Sequence, residues 1–154
     1  MIILAVDPSY ARIGIAVAQD GKILDCDSFD MDFKSKKIAR IFYRAVITTW
    51  IYKYSPDKII TERVRLFSKG FIALQSISAL SVLLSLIVDI ADVPVYSVQT
   101  SSWKAKILGR GKATKDDAVA FAKRLGYFGT HDQADAVCIA LYGFRKDALL
   151  KEVK

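Results

Sequence analysis

Four carboxylates, Asp7, Glu62, Asp132 and Asp135, each lie inside an apolar run or directly behind one. Asp7 follows Ile-Ile-Leu-Ala-Val at 2–6, and Glu62 ends the run Lys58-Ile-Ile-Thr61. Asp132 and Asp135 open the stretch Asp-Gln-Ala-Asp-Ala-Val-Cys-Ile-Ala-Leu. Apolar runs go to the interior, so any fold of this chain must carry these acids to the margin of a core. Like charges brought together in a low dielectric repel by roughly several kcal/mol, and a cation between them removes the penalty. An all-oxygen donor set suits Mg²⁺ or Mn²⁺ rather than zinc, which makes a buried divalent-metal site the leading expectation.

With 154 residues, 53% of them hydrophobic, the chain suffices for one well-filled core, and a single domain over 1–154 is expected. Lys and Arg number 23 against 16 Asp and Glu, a formal net charge of +7. Four of those acids are assigned to the interior site, so the outside is more basic than the total. Such a surface favours a polyanion, above all nucleic acid, with strongly salt-dependent binding; anionic membrane is the rival. Cys26 and Cys138 stand far apart without a metal-ligand spacing, which fits a reducing, cytoplasmic setting and neither a disulfide framework nor a zinc site. The first residues lack the basic start and small-residue cleavage site of a signal peptide. From Gly70 to Val88 there is no charged residue, long enough to raise a membrane span. Gln75 and several serines interrupt it, so a helix buried in the core or in a subunit interface is the stronger reading, and no membrane partner is expected.

Alternation predicts strands at Ile2–Val6, Ile13–Gln19 and Lys22–Phe29, with Asp20-Gly21 as a tight hairpin turn. Helical spacing covers 36–54. A strand follows at Lys58–Glu62, then the apolar helix 70–91 and a strand at Val93–Val98. Helices are predicted at Thr100–Leu108, after Thr114 and from about Asp132, and the C-terminal Lys-Glu-Val-Lys is expected to fray. Thr114 followed by Asp117 is a capping-box-like start, which accounts for Asp116 and Asp117 without catalysis. The sum is an α/β fold, a mixed five-stranded sheet flanked by helices. Sites in such layouts form at the carboxyl ends of strands, where Asp7 and Glu62 both lie.

Four stretches together carry a resemblance: Leu4-Ala-Val-Asp7-Pro-Ser with Gly14-Ile-Ala-Val17, Ile60-Thr-Glu62-Arg-Val64, Gly109-Arg-Gly-Lys-Ala-Thr-Lys115, and Asp132-Gln-Ala-Asp135-Ala-Val. In order and spacing they resemble the RuvC family of Holliday-junction resolvases, within the RNase H-like nuclease fold, and the compact form is similar to phage-encoded members. The resemblance implies that Asp7, Glu62, Asp132 and Asp135 are both catalytic residues and metal ligands, holding two Mg²⁺ ions, with Mn²⁺ as a substitute. It implies paired, symmetric nicking of four-way and other branched DNA by a homodimer, since symmetric cutting needs two sites related by a two-fold. Helix 70–91 is the interface candidate through Phe71, Leu74, Ile77 and Leu84, with core packing as the alternative. Family lysines near the scissile phosphate match Lys104, Lys112 and Lys115, and Lys106 and Arg110 extend a basic stretch that contains no acid. His131 is either a helix N-terminal spacer or a general acid/base or metal ligand.

One motif departs from the family. Many members resemble Glu-x-Val-Phe at the second acidic position, whereas this chain has Glu62-Arg63-Val64-Arg65. Arg63, Arg65 and Lys69 suit backbone contact without base reading, so weak sequence preference is expected; Phe67 is either a displaced stacking wedge or a core residue. Three rivals remain open: an actin-like or sugar-kinase-like ATPase, for which the chain is short, a branched-DNA binder that does not cut, and an RNase H-type enzyme acting on RNA–DNA hybrid. Each acid also has a bland role. Asp7 would start a turn, Glu62 would pair with Arg63 or Arg65, and Asp132 would cap its helix. Asp25, Asp27, Asp30 and Asp32 form a second acidic group, read as edge protection for a strand.

Overall fold

Successive strand residues point to opposite faces of a sheet, and that alternation decides which helices each face can accept. The computed structural model describes residues 1–8, 12–31, 35–63 and 85–153. Strands β1 (Ile2–Pro8), β2 (Arg12–Gln19) and β3 (Lys22–Asp30) form an antiparallel meander. Its second turn has φ of 51° at Asp20 and 81° at Gly21, the positive pair that matches the twist of a two-residue hairpin. Helix α1 (Lys36–Tyr54), capped by the Ser35 hydroxyl, returns the chain to β4 (Lys58–Glu62), which runs parallel to β1. Residues 85–90 are helical (α2) and lead to β5 (Val95–Val98), parallel to β4. Helices α3 (Thr100–Ile107), α4 (Lys115–Arg124) and α5 (His131–Tyr142) precede β6 (Lys151–Glu152).

The sheet has six strands in the order β3-β2-β1-β4-β5-β6, one more than the sequence predicts. The extra strand is the C-terminal tail that was expected to fray. Glu152 pairs with Tyr96 and Lys151 with Ser97, and the Val153 N–H donates to the Val95 carbonyl at 2.8 Å. Without it, β5 would present unpaired backbone groups at the sheet edge; pairing there outweighs the polar composition of the tail.

The two faces differ in bulk. One carries Leu4, Val6, Ile15, Val17 and Ile59 against Tyr43, Ile47 and Trp50 of α1. The other carries Ile3, Ala5, Ala16, Ala18 and Ile60 against Ala134, Ala136, Val137 and Ala140 of α5. Alanine facing alanine lets α5 lie close to the strands, and close packing of this kind leaves no room for added methylenes. Asp7 follows Ile3 and Ala5 in the alternation and Glu62 follows Ile60, so both acids belong to the face that α5 covers.

Of the apolar helix expected over 70–91, only residues 85–91 are described, and 85–90 of them are helical. Ile87 is fully buried, and Leu86, Val88 and Ile90 pack against the α1-side core. Phe71, Leu74, Ile77 and Leu84 lie outside the described residues, as do Arg65, Phe67, Lys69 and Asp32. No helix among the described residues is long and apolar enough to cross a membrane. At the sheet edge, Asp30 pairs with Arg12 at 2.6 Å and Asp25 with Lys53 at 3.0 Å, ion pairs that keep β3 solvated and unattractive to another strand.

Candidate active site

Asp7 is not in a turn: it is the penultimate residue of β1, paired with Gly14 of β2. A Cβ on Gly14 would sit 1.9 Å from the Asp132 carbonyl oxygen, so only glycine lets the first turn of α5 rest against β2. That contact brings Asp132 and Asp135 toward the end of β1. The cap of α5 is Thr130, whose hydroxyl accepts from Gln133 N at 3.2 Å, which leaves the Asp132 carboxylate out of capping. Asp132 and Asp135 are three apart on the helix and therefore share a face.

The four acids feel one another. Burial raises the Asp7 carboxyl well above the usual carboxylate range, and the charges of Glu62, Asp135 and Asp132 push the same way while Lys115 opposes them. Asp135 is pushed up to about 6, first by burial and then by Glu62, with Lys104 and Lys115 pulling it down. Its Oδ1 is buried without a hydrogen-bond partner among the described residues. A buried oxygen with no donor, among carboxyls that repel, is the electrostatic signature of a cation site, and the oxygen-only donors match a hard divalent ion. Among the described residues no three His, Cys, Asp or Glu side chains stand close enough to hold a metal ion. The acids thus share a field rather than a closed coordination shell.

Two cations face this field, Lys104 and Lys115. Lys104 Nζ donates to the Ala113 carbonyl at 2.8 Å and lies 5.4 Å from the Trp103 ring centroid; Lys115 opens α4. The other basic candidates are differently placed. Lys106 pairs with Asp147 at 2.7 Å and Arg110 with Asp117 at 2.7 Å, so acids from elsewhere in the chain neutralise a stretch that looked uniformly basic. Lys112 lies in the turn before Thr114. The Thr114–Asp117 capping box forms as expected.

No family model matches the chain. It is 26% identical over 166 residues to the crossover junction endodeoxyribonuclease RuvC of Brachyspira hyodysenteriae (strain ATCC 49526 / WA1), covering all of both chains. The RuvC structure of Thermus thermophilus superposes with a TM-score of 0.76 at 22% identity, over 99% of this chain and 100% of that one. The same protein in complex with a Holliday junction substrate superposes at 0.74 with 19% identity, over 92% and 91%.

The chain is RuvC-like in sequence and fold.

In this RuvC-like frame Arg63 follows Glu62 and is exposed; it lines a cavity of about 280 Å³ together with Ser97, Gln99, Ser102 and Lys151. His131 is the first residue of α5, with Nε2 4.0 Å from Asp116 Oδ1 and its side chain about half exposed. Glu62 does not pair with Arg63. Its carboxylate accepts from Thr100 Oγ1 at 2.5 Å and from Trp103 Nε1 at 3.1 Å. Neither residue stands out in the sequence, because the parallel β4–β5 pairing alone sets α3 beside Glu62. A fully buried tryptophan needs a partner for its N–H, which is the one signal that pointed to an acceptor near Trp103.

Proposed function

We propose that the chain is a divalent-metal-dependent endonuclease that resolves four-way and other branched DNA junctions by paired, symmetric nicks, working as a cytoplasmic homodimer of one nuclease domain per subunit. The carrying observation is the gathering of Asp7, Glu62, Asp132 and Asp135 into one repulsive field opposed by Lys104 and Lys115. The RuvC name of its relative and the superposition on a junction-bound RuvC support the same reading.

Asp7, Glu62, Asp132 and Asp135 would hold Mg²⁺, two ions for four carboxylates, with Mn²⁺ able to replace it. When bound, the ions supply an activated water and charge stabilisation at phosphorus. The new bond joins the water oxygen to phosphorus and the bond to the 3′ oxygen breaks, leaving a 5′-phosphate and a 3′-hydroxyl. Lys104 and Lys115 draw the phosphodiester toward the acids and balance the charge that builds on its oxygens. Arg63, Arg65 and Lys69 would grip the backbone beside the site, and Lys106, Arg110 and Lys112 would extend the track, Lys106 and Arg110 by exchanging an intramolecular carboxylate for phosphate. Phe67 would serve as the aromatic wedge, and His131, exposed at the start of α5, would be reachable for proton transfer with the leaving strand. The segment 70–91, expected from its sequence to be helical, would supply the two-fold interface.

The test is cleavage of labelled four-way junction, linear duplex and RNA–DNA hybrid, with and without Mg²⁺, by the wild type and by Asp7→Asn. Paired junction nicks that need metal and Asp7, with junction binding retained in Asp7→Asn, are expected. Binding without nicks under every metal condition would leave a branched-DNA binder, and cutting confined to hybrid would move the chain to the RNase H class.

A further inference from the structure

Thr100 is the first residue of α3, and the N-cap Gln99 makes no side-chain capping bond. The Thr100 hydroxyl donates to Glu62 Oε1 at 2.5 Å. One turn later on the same helix face, Trp103 donates its indole N–H to the other oxygen, Oε2, at 3.1 Å, from a fully buried side chain. An ionised carboxylate offers about four lone-pair sites; among the described residues one on each oxygen is used. Rotation of the carboxylate breaks both bonds at once. The two donors come from a single rigid turn, whose Ser102 and Trp103 backbone N–H groups both close on the Gln99 carbonyl.

We propose that Thr100 and Trp103 are positioning residues that fix the Glu62 carboxylate for the proposed metal-dependent cleavage, and that Trp103 makes the state of Glu62 visible by fluorescence. This rests on the reading of Glu62 as a metal ligand. The competing account is that Glu62 is there only to satisfy the buried indole. The donors to a ligating group commonly govern metal affinity and activity by about 10- to 100-fold, which sets the expected size.

Thr100→Val removes the hydroxyl at nearly constant volume, Thr100→Ser restores it, and Trp103→Phe removes the second donor independently; folding of each is checked by thermal melting. The expected result is a fall in kcat for junction cleavage of roughly 10- to 100-fold in Thr100→Val and Trp103→Phe. A rise in the Mg²⁺ concentration for half-activity should accompany it, with junction affinity in EDTA unchanged and Thr100→Ser close to wild type. In a Trp50→Phe background, where Trp103 is the only tryptophan, Mg²⁺ alone should change the emission, at higher concentration with Thr100→Val and not at all with Glu62→Gln. Unchanged kcat and Mg²⁺ dependence in both donor variants, with Glu62→Gln inactive, would overturn the positioning role and leave the nuclease reading standing. A fully active Glu62→Gln would instead overturn the ligand assignment itself.

Discussion

Asp135→Asn should make the metal-free protein more stable while abolishing cleavage. The Asp135 carboxyl is raised from 3.8 to about 6 by burial and by Glu62, so the folded state favours its protonated form. A raised acid stabilises the fold fully below its unfolded value and loses that contribution as pH climbs through the folded one, here from about 4 to about 7. The shift of about two units corresponds to roughly 3 kcal/mol lost across that window. Asp7 is raised for the same reasons and adds in the same direction. Asp117 and Asp147, held down to about 2 by their hydrogen bonds, titrate below the window and do not mask it. The asparagine carries no charge, but its buried N–H groups need partners, which costs about 1 to 2 kcal/mol.

The net gain near pH 7.5 is then about 1 to 2 kcal/mol, a melting temperature higher by roughly 2 to 8 °C for a chain of this size. Melting of both proteins in EDTA, near pH 4.5 and near pH 7.5, reads it. The difference should be large at the higher pH, small or reversed at the lower one, and inverted by saturating Mg²⁺, which stabilises only the protein that binds it. An Asp135→Asn protein that melts below the wild type in EDTA near pH 7.5, or by the same margin at both pH values, would refute the repulsion argument.

Lys115→Ala and Lys104→Ala should each lower kcat for junction cleavage by roughly 100-fold, because both cations face the carboxylates of the proposed site. Lys106→Ala and Arg110→Ala, whose charges are already paired with Asp147 and Asp117, should change kcat by less than about 3-fold, near the small effect of exposed ion pairs; single-turnover cleavage separates the two groups. Gly14→Ala places a methyl 1.9 Å from the Asp132 carbonyl oxygen and should cost about 3 kcal/mol or more by overpacking, read by urea denaturation, with cleavage lost because α5 can no longer approach β1.

Local patterns made most of the sheet legible. The Asp20-Gly21 turn, the alternation of β1 to β3, the helical spacing of α1 and the Thr114–Asp117 cap each depend on residues close in sequence, and each forms where the sequence places it. β6 was missed because nothing in Lys-Glu-Val-Lys favours a strand; its stability comes from the open edge of β5, a partner more than fifty residues away. The same limit applies to charge. A basic stretch from Lys104 to Lys115 predicts a bare surface only if no acid is brought to it, and the fold brings Asp117 and Asp147.

The site divides along the same line. Which acids could meet was readable from their position behind apolar runs, since strand alternation and helix periodicity fix the face each one occupies. How they meet depends on two contacts that sequence patterns do not encode. One is the bare backbone of Gly14, which admits the carbonyl of Asp132 and so sets the height of α5 over β1. The other is the turn of α3 that donates to both oxygens of Glu62. Burial and the charges of Glu62, Asp135 and Asp132 raise the Asp7 carboxyl, and the opposing charge of Lys115 does not offset them. The structure therefore holds the repulsion in place, and a divalent ion bound among these carboxylates would relieve it.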